Sequence, residues 1–252
     1  MPGFPTIALH FLPSHSPPQA HAGATVVVVD VLRATTTMTY ALEAGADRIV
    51  LFSTPEEALE IFDSLPPRVT VLGGERGGFR ISKFHLGNSP AEYTREVVEG
   101  KSILFTTTNG TAAALHAGRA ARVLFGCFAN LSSIARVLVT DTHPIHILCA
   151  GTGGEISLDD CMFAGALAAR LRSLGCTLVD PDHAQLAIAA YERASAGEGG
   201  LAAGLSQTRG GRNLAAVGLG SDTALAARVD TCTAVGEMDI ATRIVMRKES
   251  SK

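Results

Sequence analysis

Short apolar runs rich in β-branched residues recur along the chain, and between them lie stretches whose apolar residues fall at helical spacing. The first run, TVVVVDV from Thr25 to Val31, is continuous, as expected for a strand buried on both faces. ATTTMTYALEAG follows at helical spacing and ends on Gly45, placed to serve as C′. RIVLFS predicts a second strand. TPEEALEIFDSL predicts a helix with Thr54 as N-cap, Pro55 at the first position and Glu57 at the third. The alternation continues through VTVLGG, a long loop, SILFTTT, GTAAALHAG, RVLFGCF, NLSSIARVL and PIHILCAG, and SLDDCMFAGALAARLRSLG closes it as a helix. Strands alternating with helices predict an α/β fold, a three-layer α/β/α arrangement around a mostly parallel central sheet.

Beyond Gly175 the pattern weakens. PDHAQLAIAAYERA, SAGEGGLAAGLSQTRGGR and SDTALAARVD predict a helical elaboration from Asp180 to Asp230, and AVGEMDIATRIVMRKE a final strand or strand pair at a sheet edge. No linker composition divides the chain, so residues 1–252 read as one α/β domain with that elaboration.

Composition narrows the function classes. With 46% hydrophobic and 18% charged residues, the chain can bury a substantial core. A formal charge of −3 and the absence of tryptophan argue against a nucleic-acid or anionic-membrane surface. No apolar run reaches the length of a membrane span, and the N-terminal MPGFPTIALHFLPSHSPPQA, broken by prolines and lacking a basic segment, does not read as a signal peptide. The five cysteines have no zinc-type spacing and read as reduced thiols of a cytoplasmic protein. A homodimer is compatible with all of this.

Candidate chemistry sits where the strands end. In an open parallel sheet, ligands bind outside the carboxyl ends of the strands. The first strand ends in DVLRAT, supplying Asp30, Arg33 and Thr35. The third ends in GGERGG, supplying Glu75 and Arg76, the fourth in TTTNGT, and the sixth in CAGTGGEISLDD. A helix starting near Asn109 to Thr111 would present free N–H groups and the positive end of its dipole. There Gly110 would allow close approach, and Thr107, Thr108, Asn109 and Thr111 would add short polar groups, so the expected guest is a phosphate or carboxylate.

Asp30 reads either as a hard-metal ligand with Arg33 forking onto an oxyanion, or as half of a structural Asp–Arg pair. Ser157 and Asp160 have the spacing of a capping box, which would account for one acid, and only one of Asp159 and Asp160 is expected to face the site. GGERGG lacks the lysine of a Walker loop, and no G-x-S-x-G elbow exists. The eight histidines are scattered, and His143 and His146 beside strand residues read as non-ligands. Cys127 and Cys149 read as buried structural thiols.

VVVVDVLRATTT, LGGERGGFRISKFHLGNSP, TTTNGTAAAL and CAGTGGEISLDDCMFAG, in that order, resemble the 2-phosphosulfolactate phosphatase family from Thr25 to Gly175. The likeness extends more loosely through GRNLAAVGLGSDTALAARVD. The resemblance implies an α/β protein that uses Mg²⁺ to hydrolyse 2-phospho-3-sulfolactate to sulfolactate and phosphate, a step of coenzyme M synthesis. A phosphomonoester hydrolase needs a metal, donors for the remaining charge and an acid–base group. Asp30, Arg33 and Glu75 are the candidate catalytic residues, and Asp30, Glu75 and Asp160 the candidate Mg²⁺ ligands. Arg76, Thr108, Asn109, Gly110 and Thr111 are the candidate substrate contacts. The expected partner is a small anionic phosphorylated substrate, with no nucleic acid and no membrane. A non-catalytic anion-binding protein and a metal-dependent hydrolase or lyase of another small carboxylate remain the alternatives.

Overall fold

Eleven strands join in one mixed sheet in the computed structural model, which describes residues 4–66 and 68–248. Residues 1–3 of the proline-broken N-terminal stretch and residue 249, the last of AVGEMDIATRIVMRKE, lie outside the described residues. In chain order the strands are β1 (Thr6–His10), β2 (Thr25–Val29), β3 (Arg48–Leu51), β4 (Thr70–Arg76), β5 (Phe79–Arg80) and β6 (Ser102–Thr106). Then come β7 (Arg122–Gly126), β8 (Ile145–Cys149), β9 (Thr177–Leu178), β10 (Gly236–Asp239) and β11 (Ile244–Arg247). The helices are α1 (Ala34–Glu43), α2 (Pro55–Asp63), α3 (Arg95–Val98), α4 (Gly110–His116) and α5 (Leu131–Val139). They continue with α6 (Leu158–Ser173), α7 (Pro181–Ala196), α8 (Gly200–Ser206), α9 (Arg209–Ala216) and α10 (Asp222–Ala226). This is the expected α/β fold with helices on both sides of a mostly parallel sheet.

The strand order is β5-β4-β6-β3-β11-β10-β7-β2-β8-β1-β9. Two parallel blocks, β4-β6-β3 and β7-β2-β8-β1-β9, are joined by the antiparallel hairpin β10–β11. The C-terminal strand pair therefore lies in the middle of the sheet, and the sheet-edge expectation is corrected. Its charged residues suggest an edge, but they are used within the sheet. Arg122 on β7 donates to both oxygens of Glu237 at 2.7 and 3.1 Å, while Met238 and Val245 turn into the core. β1 is a second departure: flanking prolines hide a strand that pairs in parallel with β8. The long loop after VTVLGG holds β5 and α3.

β2 shows why its apolar run is continuous. Val27 and Val29 pack with Ile134 and Leu138 of α5 and Phe163 of α6. Val26 and Val28 pack on the other face with Met38 and Leu42 of α1 and Ala113 of α4. Burying each valine contributes on the order of 1.5–3 kcal/mol, so a charge anywhere in this strand would unseat a layer. The capping predictions at α1 and α2 also hold. Gly45 has φ +94°, and Thr54 Oγ1 accepts from the Glu57 N–H at 3.2 Å.

α7 lies along α6, where Gly165 leaves room for the Ala187 carbonyl. α8, α9 and α10 then supply the expected helical elaboration, and α9 returns it to the carboxyl ends of the parallel strands.

Candidate active site

A cleft of about 440 Å³ opens at those strand ends, between the residues following β2, β4, β6 and β8 on one side and α9 on the other. Asp30, Arg33, Glu75, Thr108 and Asn109 of the sequence candidates line it.

Asp30 leaves β2 just before α1. Its backbone is locked by Thr35, whose Oγ1 donates to the Asp30 carbonyl at 2.9 Å and accepts from its N–H at 3.1 Å. Its Oδ1 accepts from the Ala34 N–H at 3.3 Å. Burial, then the nearby charges of Glu75 and Asp159, push the Asp30 carboxyl up to about 7.

Glu75 is aimed by Gly74, whose φ of +141° and contact with the Thr106 carbonyl leave no room for a Cβ. Its carboxylate accepts from the Thr108 N–H and the Gly78 N–H, both at 2.7 Å. A backbone donor before α4 is thus satisfied by this chain's own carboxylate, which ties the glycine loop to the α4 turn.

Thr107 and Thr111 form a reciprocal pair. The Thr107 N–H donates to Thr111 Oγ1 at 3.0 Å, and the Thr111 N–H to Thr107 Oγ1 at 3.1 Å. Thr111 is buried and does not line the cleft; with Arg76 it borders a separate cavity of about 230 Å³. Arg76 donates to the carbonyls of Glu75 and Ser53 and to Thr106 Oγ1.

Gly110 has no left-handed φ. Its requirement is a close approach: a Cβ there would lie 2.7 Å from Asp30 Oδ2 and 2.5 Å from the Ala34 Cβ. Gly110→Val is expected to destabilise the protein by about 1–3 kcal/mol through this overpacking, read from urea melts. A variant as stable as the parent would remove the close approach from the account.

Arg33 is the one arginine lining the cleft among the described residues, and it is 3% exposed. It donates to Asp222 Oδ2 at 2.9 Å and to the Gly78 carbonyl at 3.0 Å. The arginine is therefore paired, with Asp222 of α10 rather than Asp30.

Asp160 is buried behind the cleft, where its two oxygens accept from the Val31 N–H at 2.8 Å and the Gly151 N–H at 3.0 Å. It thereby clamps the ends of β2 and β8. The capping box with Ser157 does not form, because Ser157 Oγ donates to Asp159 Oδ1 at 2.8 Å. Burial raises both Asp159 and Asp160, and the charges of Asp159 and Asp30 add to the rise at Asp160.

Three contributors escape sequence reasoning. Asp222 holds Arg33 and accepts from Ser89 Oγ at 2.7 Å. Asn213 of α9 lines the far wall. Asn88 lines the cleft with a buried Oδ1 that has no partner. The polar break in LGNSP is the only sequence signal for Asn88; Asp222 and Asn213 lie in a region without strand–helix rhythm.

The donor set suits a hard cation. Mg²⁺ takes carboxylate oxygens and is commonly held by one or two of them with water and substrate oxygens completing the shell. Asp30 and Glu75 face the cleft, and their mutual repulsion is the electrostatic condition a cation relieves. No three cleft carboxylates among the described residues bring their oxygens within 4.8 Å of one another, so an open, partly hydrated site fits and an all-protein cage does not.

A larger cavity of about 670 Å³ between α6, α7 and α8 offers mainly alanine, leucine and glycine, with Arg193 and Glu198 its charged residues. It lacks convergent polar groups. No helix among the described residues is long and apolar enough to cross a membrane.

The profile of the 2-phosphosulpholactate phosphatase family matches residues 10–240. The chain belongs to this family. A probable 2-phosphosulfolactate phosphatase of Deinococcus radiodurans is 41% identical over 216 residues, covering 85% of this chain and 87% of that protein. Another, of Symbiobacterium thermophilum, is 39% identical over 217 residues, covering 86% and 92%. The matched span includes both walls of the cleft, the strand ends and α9 alike. As a member of the 2-phosphosulpholactate phosphatase family the protein is a phosphoric monoester hydrolase by class.

Proposed function

We propose that the protein hydrolyses the phosphate ester of 2-phospho-3-sulfolactate, or of a related 2-phosphocarboxylic acid, with Mg²⁺ as its cofactor. The observation that carries this reading is the Asp30 carboxylate at the cleft floor, desolvated beside Glu75 and held close to the start of α4. The names of the Deinococcus and Symbiobacterium relatives support the substrate.

Asp30 and Glu75 would hold the ion. When bound, Mg²⁺ neutralises phosphate oxygens and increases the acidity of water. The protein's own groups do the rest. Asp160 fixes the turn that presents Asp30, by holding the Val31 and Gly151 N–H groups. Arg33 sets its guanidinium beside the transferring phosphate, where charge changes most, and Asp222 keeps it oriented. Thr108 and Asn109 offer short polar contacts to the substrate.

The proposed substrate carries three anions, and Arg33 alone cannot pair with them all. Arg209 at the start of α9 donates to the carbonyl of Thr152, a cleft residue, at 2.6 Å, which puts a second cation at the rim. Arg209→Ala is expected to raise KM about fivefold with kcat nearly unchanged, about 1 kcal/mol of uniform binding. Arg76→Lys is expected to lower Tm while changing KM less than about twofold, because its fork is spent on protein acceptors. Steady-state kinetics and melts on both variants check the pair, and a larger KM effect at Arg76 would return it to substrate binding.

The function itself is tested by phosphate release from a panel of 2-phosphoacids, with chelator and with added Mg²⁺. Turnover of 2-phosphosulfolactate that vanishes on chelation and returns with Mg²⁺ is expected. Absence of phosphate release from every 2-phosphoacid would overturn the proposal.

A further inference from the structure

One group of side chains on the sheet is unrelated to the cleft. His10 ends β1, His146 lies in β8, and His21 ends a 3₁₀ turn, Pro18–His21, that follows β1. The strand register pairs Ala8 with His146 and His10 with Leu148, so His10 and His146 project from the same face. None of the three lines the cleft of Asp30 and Glu75.

One ring nitrogen from each of these histidines lies within 4.8 Å of the others, the only such trio of histidine, cysteine or acidic side chains among the described residues. His10 Nε2 and His146 Nδ1 are 3.1 Å apart. Two nitrogens bound to one tetrahedral zinc at 2.0–2.1 Å stand about 3.3 Å apart, so a few tenths of an ångström separate this pair from ligation geometry.

His21 supplies the decisive observation. It is fully buried, and its Nδ1 has no hydrogen-bond partner. Its other nitrogen, Nε2, lies 2.6 Å from Oγ of the buried Ser16. With Nε2–H donating to Ser16, the lone pair on Nδ1 is left without a donor, at the cost of an unsatisfied buried acceptor. An outer partner of this kind is what fixes the tautomer of a metal-ligating histidine. The Ser16 carbonyl is held in turn by His116 Nε2 at 2.8 Å.

We propose that His10 Nε2, His146 Nδ1 and His21 Nδ1 bind a divalent ion of the zinc class. Three imidazoles without a carboxylate select borderline metals such as Zn²⁺ or Co²⁺ and not Mg²⁺. Burial, followed by repulsion among the imidazoles, lowers His10 and His21 to about 4, so both rings are neutral and able to ligate at physiological pH. His10 and His146 are only partly buried, which leaves the fourth position to water. The ion would staple the segment between β1 and β2 to the sheet and act as a structural clamp.

The test is calorimetric titration of the chelator-treated full chain with ZnCl₂ alone. One Zn²⁺ per chain is expected, undiminished by excess Mg²⁺, with a rise in Tm of several degrees. His10→Gln and His146→Gln, at partly exposed positions, should each weaken Zn²⁺ at least tenfold, and Ser16→Ala about tenfold. Asp30→Asn should leave Zn²⁺ binding intact. Co²⁺ should give the visible bands of a tetrahedral site in the parent and lose them in His146→Gln. Absence of saturable binding, binding that survives both glutamine variants, or binding that fails in Asp30→Asn would overturn the assignment.

Discussion

Asp30→Asn is expected to reduce phosphate release about a thousandfold, about 4 kcal/mol in transition-state terms, while making the metal-free protein more stable at neutral and alkaline pH. The two effects have one cause. The Asp30 carboxyl titrates near 3.8 in a solvated chain and is pushed up to about 7 in the fold, first by burial and then by Glu75 and Asp159. Between those values the folded protein keeps a proton that the unfolded chain has released. Stability is therefore fully present below the lower value and falls as pH rises through the upper one. Asparagine keeps an oxygen for the Ala34 N–H and carries no charge, so it escapes this loss, which amounts to at most about 4 kcal/mol. A cation at the site should cancel the same repulsion. Mg²⁺ is thus expected to raise the parent's stability more at about pH 8 than at about pH 5, and to do little for Asp30→Asn. Urea melts of both proteins, with and without Mg²⁺, measure every term. Parent stability that is flat across this range would remove the buried charge from the account.

The central layers of the fold were legible because burial on two faces leaves a simple trace. TVVVVDV has no polar residue before Asp30, and the valines divide between two helix layers. β1 was illegible because TIALH is short and lies between prolines, which normally mark chain breaks. The hairpin β10–β11 misled for a different reason. Glu237, Arg247 and Lys248 look like edge charges, and only the three-dimensional pairing shows Arg122 waiting on the neighbouring strand.

The cleft divides in the same way. Its near wall follows from strand ends, so Asp30, Glu75, Thr108 and Asn109 could be named from spacing. The far wall comes from α9, and the carboxylate that holds Arg33 comes from α10, both brought back by packing that no local period encodes. Nor could the sequence say which way a side chain turns. Arg76 and Glu75 are neighbours on one strand, and alternation across the strand separates a cleft residue from one that ties down the loop. The histidine trio spans positions 10 to 146, and no spacing rule joins residues so far apart.

The second large effect is expected at the Arg33–Asp222 pair, whose side chains are 3% and 2% exposed. Asp222→Leu should destabilise the protein by about 3–5 kcal/mol, because it leaves a guanidinium buried without its counter-charge. It also removes the acceptor of Ser89 Oγ. Arg33→Met alone should cost a similar amount by stranding the carboxylate. The double variant Arg33→Met/Asp222→Leu should recover most of that stability, since an apolar pair of similar volume avoids both desolvation penalties. The coupling between the two sites is then expected to exceed about 2 kcal/mol.

Activity should behave differently. If Arg33 serves the transferring phosphate, the double variant stays at least a hundredfold down in kcat, about 2.7 kcal/mol, although its fold is restored. Stability and turnover respond in opposite directions only when the residue has two separate tasks. Recovery of kcat along with stability would reduce Arg33 to a scaffold for the glycine loop, through its bond to the Gly78 carbonyl. A coupling below about 0.5 kcal/mol would mean that α10 is held against the cleft by other contacts.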